Sequence, residues 1–113
     1  MHHLNPRTNS TRVSNATWLL AIFFATGPAF ANSALANKYG CLGCHAAATK
    51  LVGPSYQEVA AKYAGDKGAV EALVKSIRNG GTGKWGDMAM PPQAQVSEAD
   101  AKRLATWILG GAR

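Results

Sequence analysis

The pentapeptide Cys41-Leu42-Gly43-Cys44-His45 constrains this chain more than any other stretch. Its two thiols are three positions apart, and an imidazole directly follows the second. This spacing allows both sulfurs to form thioethers with the two vinyl groups of a single haem, while the histidine ring reaches the iron. We therefore expect one covalently bound haem c, with Cys41 and Cys44 as attachment sites and His45 as an iron ligand.

Two other chemistries use a similar motif. Disulfide exchange needs no histidine after the second cysteine, and it usually occurs in a βαβ context that this sequence lacks. A zinc site would need further ligands, but the chain has no third cysteine, and its other histidines are His2 and His3. Both alternatives are less favoured than haem attachment.

The first residues have the pattern of a secretory signal peptide. Arg7 and Arg12 precede an apolar run at 18–25, and a small-x-small triplet follows at 29–31. We predict a cleavable signal peptide at residues 1–31. A retained membrane anchor is the less favoured alternative, because the apolar run is short for a membrane span.

Residues 32–113 are expected to form one exported domain, located in the periplasm and without stable membrane insertion. A second small-x-small triplet at 34–36 is a less favoured cleavage site, since cleavage there would shorten the first helix. Removal of residues 1–31 leaves ten basic and six acidic residues, a net charge of +4 before haem. This charge suits an acidic protein partner, and the sequence lacks the dense basic stripe of a nucleic-acid binder.

Helix caps and apolar spacing predict an all-α fold, with no strand pattern and no repeat. Ser55 and Glu58 have the spacing of a capping box, and acidic residues follow Ser97. Gly40 is interpreted either as a helix end or as a position where another helix packs closely. The predicted helices run from Ser33 into Cys41, from Ser55 to Tyr63, from Ala69 to Asn79, and from Ser97 to a stop at Gly110.

Residues 80–95 lack a helical pattern and are rich in glycine and proline. A loop of this length in a small domain is typically functional. It holds the thioethers of Met88 and Met90, and the rigid backbone of Pro91 and Pro92 follows directly.

Several motifs recur here in a characteristic order. They are Cys41-x-x-Cys44-His45 after a first helix, Leu51-Val52-Gly53-Pro54, Arg78-Asn79-Gly80, Trp85-Gly86 and Met90-Pro91-Pro92. Together they resemble the short bacterial class I cytochromes c, over residues 32–113. The resemblance implies a compact fold of four to five short helices around one haem, with the first and last helices crossing near Gly40 and Trp107. It also implies an electron carrier and not an enzyme.

The resemblance assigns roles to further residues. Met90, in preference to Met88, would be the second iron ligand. The Pro54 carbonyl would accept the other ring N–H of His45, and the Trp85 indole would donate to a haem propionate. Simple packing for Trp85 and a turn role for Pro54 are the alternatives.

Two positions depart from the family pattern. Ser76 replaces a frequent propionate-binding arginine, and Gln93 replaces an asparagine that often bonds the ligand sulfur. A ligand-binding sensor or peroxidase is disfavoured because no histidine follows His45. A haem subunit or module of a larger respiratory complex remains an alternative.

The resemblance also implies a monomer whose redox partner proteins dock at the exposed haem edge. The family's partners are nitrite reductase, cytochrome peroxidase, a terminal oxidase or the cytochrome bc1 complex. The expected apolar docking patch is formed by Leu42, Leu51, Val52, Met88, Ala89, Pro91 and Pro92. The lysines expected around it are Lys38, Lys50 and Lys84.

Overall fold

The computed structural model describes residues 20–22 and 28–113, and these residues form an all-α domain. The helices are α1 (Pro28–Lys38), α2 (Tyr56–Lys62), α3 (Ala69–Asn79) and α4 (Glu98–Leu109), with a short 3₁₀ turn at Cys41–Gly43 between α1 and α2. The predicted fold class is confirmed. Most of the predicted signal peptide lies outside the described residues, and no helix within them is long and apolar enough to cross a membrane.

The bounds of α1 differ from the prediction at both ends. In the full-length chain the helix begins at Pro28, so Ser33 lies inside the helix and does not cap its start there. A proline suits the first helical position for two reasons. Its φ is already close to the helical value, and an N–H at this position would have no acceptor within the helix, so its absence costs nothing. The helix ends at Lys38 and does not continue into Cys41, because Gly40 adopts a left-handed φ of 73°. A Cβ on Gly40 would meet nothing within 4 Å, so the close-packing interpretation is wrong and the helix-end interpretation is right.

The caps of the other helices follow the sequence. Ser55 Oγ accepts the Glu58 N–H at 3.1 Å, and the Glu58 carboxylate accepts the Ser55 N–H at 2.8 Å. Ser97 Oγ accepts the Asp100 N–H at 3.1 Å at the start of α4. These local bonds satisfy donors that the first helical turn leaves unpaired, which is why the starts of α2 and α4 were predictable.

Helix α4 is the centre of the packing and contacts α1, α2 and α3. The first and last helices therefore pack together, and the Tyr39 hydroxyl donates to the carboxylate of Asp100, near the start of α4, at 2.6 Å. The predicted crossing point near Gly40 and Trp107 stays a prediction. The buried apolar side chains are Ala36, Tyr56, Val59, Tyr63, Ala69, Leu73, Ile77, Val96, Ala101, Leu104, Ala105, Trp107 and Ile108. This core fixes the orientation of α2, whose first residue lies beside the haem-attachment motif.

Backbone hydrogen bonds close the base of the loop that carries Met90. Gly81 and Met90 form an antiparallel bridge, with N···O distances of 3.1 and 2.8 Å. The Gln93 N–H donates to the Ile77 carbonyl at 3.0 Å and ties the loop to α3. A Cβ on Gly80 would collide with the Met90 carbonyl, so this glycine permits the close approach. Contacts within the protein thus fix the position of the Met90 backbone.

Candidate haem-binding site

One tight turn brings the two thiols and the imidazole together. The N–H groups of Cys44 and His45 both donate to the Cys41 carbonyl, at 3.2 and 3.0 Å. Residues three and four positions apart on such a turn lie on the same side. Cys41 and Cys44 do not form a disulfide with each other. Burial raises the pKa of the Cys41 thiol.

The His45 ring is held by the main chain of the following loop. Its Nδ1 lies 2.8 Å from the carbonyl oxygen of Pro54, which is buried. A carbonyl oxygen only accepts, so Nδ1 carries the proton and donates. Nε2 is therefore left with a free lone pair, which is the form of imidazole that ligates a metal.

Gly53 belongs to the Leu51-Val52-Gly53-Pro54 motif, but the sequence reasoning assigned it no role at the site. A Cβ built there would lie 2.8 Å from His45 Nδ1, and closer still to the Cε1 atom of the same ring. The Gly53 N–H donates to the Cys44 carbonyl at 2.8 Å, which fixes the loop against the motif. Only glycine lets the backbone pass this close to the imidazole. The available signal was a glycine directly before Pro54.

Tyr56 packs against the His45 imidazole, and the sequence reasoning did not predict this contact. Its ring stacks on His45, with centroids 5.4 Å apart and planes inclined by 18°. Trp107 of α4 supports Tyr56 in an edge-to-face contact at 5.3 Å. Burial, and secondarily the nearby Cys41, raises the pKa of Tyr56 far above its usual value, so the phenol stays neutral. The imidazole is thus packed between a glycine backbone and a rigid aromatic pair.

The remaining predicted site residues lie in the second half of the chain. Met90 and Trp85 are half-buried, whereas Met88 is 67 % exposed. Among the described residues, no hydrogen bond joins the 41–55 segment to the 80–95 loop. The structure therefore presents an imidazole on one segment and a thioether on another, and each is positioned by its own backbone contacts.

Of the two departures from the family pattern, the described hydrogen bonds involve the side chain of Gln93 and only the main chain of Ser76. The carbonyl of Ser76 accepts the Gly80 N–H at 2.9 Å at the end of α3. The Gln93 side-chain amide donates to the Pro91 carbonyl at 3.0 Å, and its oxygen accepts from Gln95 at 3.0 Å. The side-chain N–H group of Gln93 thus donates to the backbone of its own loop.

The donor set fits a haem c. Two thiols, an imidazole nitrogen with a free lone pair and a thioether are the groups that attach and ligate such a haem. Apolar side chains near the motif are unusually exposed, at 39 % for Leu42, 48 % for Leu51 and 49 % for Val52, as expected for residues that border a large apolar cofactor. A bare metal ion fits poorly, because the described part of the chain has no cluster of three or more His, Cys, Asp and Glu side chains suited to one.

Fold and donor set together define a small all-α domain for one c-type haem, and comparisons with known proteins agree. The family described as cytochrome C oxidase, cbb3-type, subunit III matches residues 29–108. Cytochrome c-552 of Hydrogenobacter thermophilus is 50 % identical over 91 residues, which cover 80 % of this chain and 92 % of that protein. Cytochrome c-551 of Allochromatium vinosum is 51 % identical over 82 residues, 73 % of this chain and 87 % of the relative.

Solved structures give the same result. The crystal structure of Nitrosomonas europaea cytochrome c552 superimposes with a TM-score of 0.68 at 47 % identity, covering 69 % of this chain and 96 % of that one. The chain belongs to the short monohaem class I cytochromes c. The expected cofactor, one covalently bound haem c, is confirmed by this membership.

Proposed function

We propose that this protein carries single electrons between redox partner proteins, through a haem c attached at Cys41 and Cys44 and ligated by His45 and Met90. The observation that carries this proposal is the 2.8 Å contact between His45 Nδ1 and the Pro54 carbonyl. This contact leaves the Nε2 lone pair of His45 free to bind a metal, and the same tight turn carries Cys41 and Cys44. Without this contact, nothing would determine which ring nitrogen of His45 carries the proton.

The ligand pair explains why the protein is a carrier and not an enzyme. A haem iron with one nitrogen and one thioether ligand has no open position, and it changes oxidation state without binding substrate. The chain's own residues keep the ligands in place during this change. Pro54 raises the basicity of His45 through the shared proton, and Gly53 and Tyr56 limit the rotation of its ring.

The thioether is held in a corresponding way. The Gly81–Met90 bridge fixes the ligand's backbone, and Pro91 follows with a fixed φ. A ligand that is already ordered loses less entropy when it binds. Met88 lies nearer the loop tip and is mostly exposed, which favours Met90 as the ligand. Trp85 is half-buried in the same loop, and we assign its indole N–H to a haem propionate.

We also propose export to the periplasm, with cleavage of residues 1–31. The predicted cleavage position after Ala31 falls within α1, so the mature α1 would begin at Asn32. Intact mass of the exported holoprotein tests this directly. The expected mass is that of residues 32–113 plus one haem, and a mass that retains residues 1–31 would contradict cleavage.

The proposed partners are acidic redox proteins that dock where the haem edge is exposed. Nitrite reductase, a cytochrome peroxidase, a terminal oxidase and the cytochrome bc1 complex are the candidates that the family suggests. Leu42, Leu51 and Val52 supply an exposed apolar surface beside the attachment motif. Such a surface, with lysines around it, suits brief encounters of a monomeric carrier.

Visible spectroscopy of the purified holoprotein tests the proposal. Reduced-minus-oxidised spectra and haem content are expected to show one c-type haem per chain, with the ferric absorption band that reports methionine ligation of iron. Exogenous ligands are expected to bind the ferric protein only slowly. A five-coordinate spectrum, or rapid ligand binding to wild-type protein, would contradict a carrier with His45 and Met90 as ligands.

A further inference from the structure

Two lysine–aromatic pairs, each consecutive in sequence, contact each other reciprocally. Lys62 Nζ at the end of α2 lies 4.3 Å from the ring centroid of Trp85, and it donates to the Lys84 carbonyl at 3.0 Å. In return, Lys84 Nζ donates to the Tyr63 hydroxyl at 2.6 Å and lies 5.3 Å from the centroid of that ring. We call these four residues the lysine clasp.

The lysine clasp is the attachment of the loop tip to the body of the protein. Among the described residues, the hydrogen bonds that join residues 82–89 to the rest of the chain are those from Lys62 and from Lys84. The bond between the Gly83 N–H and the Gly86 carbonyl stays within the tip. The base of the loop is closed separately, by the Gly81–Met90 bridge. Without the two lysines, the described contacts that hold the tip would be the packing of Trp85 on the core and the two ends of the tip.

The anchor on the helix side is rigid. Tyr63 is 9 % exposed and belongs to the core, so its hydroxyl is a fixed acceptor for the Lys84 ammonium. A cation close to the face of tryptophan is attracted by the ring quadrupole, and a bond from an ammonium is stronger than one between neutral groups. Each pair supplies the lysine that contacts the aromatic ring of the other pair, so the two segments are joined in both directions.

We propose that the lysine clasp is a positioning device for Met90: it fastens the loop tip to α2 and so slows release of the Met90 thioether from the haem iron. The inference rests on the proposed function, because it takes Met90 as the ligand. The expected effect on ligand release comes from the restraint that the clasp places on loop movement. Release of the thioether requires the loop to move away from the site, and a tip tied to the core opposes that movement.

The lysine clasp also distinguishes Lys84 from Lys38 and Lys50, the other lysines predicted to lie around the apolar surface. The Lys84 ammonium is held by Tyr63, whereas Lys50 makes no hydrogen bond or cation–π contact among the described residues. Lys50 thus provides a matched control, because removing it changes the net charge equally without touching the clasp.

The test is the rate at which imidazole replaces the ligand in the ferric holoprotein, measured by stopped flow up to saturating imidazole. At saturation the rate reports ligand release. Lys62→Ala and Lys84→Ala are expected to raise this limiting rate about 3- to 10-fold, the size of effect that one exposed cation–π contact or charged hydrogen bond supports. Lys50→Ala is expected to leave it unchanged. Tyr63→Phe, which keeps the ring and removes the acceptor, is expected to give an intermediate increase.

Two results would overturn the inference. One is a limiting rate that stays at the wild-type value in Lys62→Ala, Lys84→Ala and Tyr63→Phe. The other is an equal increase in Lys50→Ala, which would indicate a general charge effect. If the wild-type spectrum lacks methionine ligation, the proposed function itself fails. If ligation is present and the rates do not respond, only the role of the lysine clasp fails.

Discussion

Gly53 shows at the scale of one residue how a missing side chain sets the geometry of its neighbour. A Cβ at this position would lie 2.8 Å from His45 Nδ1, and the ring has little freedom to move because Tyr56 stacks on it. Gly53→Ala is therefore expected to displace the imidazole or the loop and to destabilise the holoprotein by about 1–3 kcal/mol, the usual cost of overpacking. Haem content and denaturant unfolding measure this.

Gly43 provides the control for that substitution. It lies between the two cysteines, its φ is not positive, and a Cβ there would meet nothing within 4 Å. Gly43→Ala is expected to leave haem content and stability close to the wild-type values. Equal losses in Gly43→Ala and Gly53→Ala would show that the proximity of Gly53 to His45 is not the cause.

The two methionines of the loop differ in exposure and in backbone support. Met90→Ala is expected to open the iron to exogenous ligands, to abolish the band that reports methionine ligation and to lower the reduction potential, because thioether ligation raises it. Met88→Ala should do none of this, since Met88 is 67 % exposed and lies outside the backbone bridge. Ligand titration and voltammetry of both variants decide the assignment, and the reverse pattern would refute it.

At the scale of the elements, Tyr39 ties the end of α1 to α4. Its hydrogen bond to the Asp100 side chain, with burial and the carboxylate charge as smaller causes, raises the pKa of the Tyr39 phenol above its usual 10.0. The folded state thus favours the protonated phenol. Its contribution to stability is fully present below the pKa of the unfolded chain, and it is lost as pH rises through the folded pKa.

This sign gives a pH-dependent prediction. Wild-type protein is expected to lose stability above about pH 10, the usual tyrosine pKa, more steeply than Tyr39→Phe, which has no phenol to ionise. At neutral pH, Tyr39→Phe should be the less stable protein because the bond to Asp100 is missing. Urea unfolding at a series of pH values measures both effects. Parallel curves for the two proteins would contradict a role for the Tyr39–Asp100 bond.

The elements also show which features the sequence could predict. Helices α2, α3 and α4 were predictable because their signals are local: Ser55 and Ser97 cap the first turn, and Gly80 ends α3. The start of α1 was not predictable, because two residues compete as local start signals. Pro28 suits the first position of a helix, and Ser33 suits a helix cap. The lysine clasp was not predictable either, since it joins Lys62 to a loop more than twenty positions away through long side chains.

At the scale of the whole molecule, we expect the attachment motif to decide whether the domain folds. A mature chain of this length buries little surface by itself, and Leu51 and Val52 remain about half exposed around the site. Replacement of both Cys41 and Cys44 by alanine is expected to leave little folded protein. Circular dichroism and a denaturant titration check this, and a cooperative, helical apoprotein would show that the core of α1 to α4 is sufficient without haem.

The charge and apolar surface of the whole molecule predict how it meets its partners. If Lys50 and the surrounding charges steer an acidic partner, electron-transfer rates should fall as added salt shortens the Debye length from about 30 Å to about 8 Å. Charge reversal at Lys50 should slow association at low salt and have little effect at high salt. Val52→Lys should weaken the close complex at every salt concentration, because Val52 is 49 % exposed within the apolar surface.

Lys84 is a poor probe of this steering, although its position in the loop made it a candidate. Its ammonium is bonded to Tyr63, so charge reversal there would break the lysine clasp as well as change the field. Lys50 has no such second role, and its effect on the association rate can be assigned to charge alone. Rates measured against one acidic partner at several salt concentrations are the test. Indifference to salt, to Lys50→Glu and to Val52→Lys would place the docking surface on another face of the molecule.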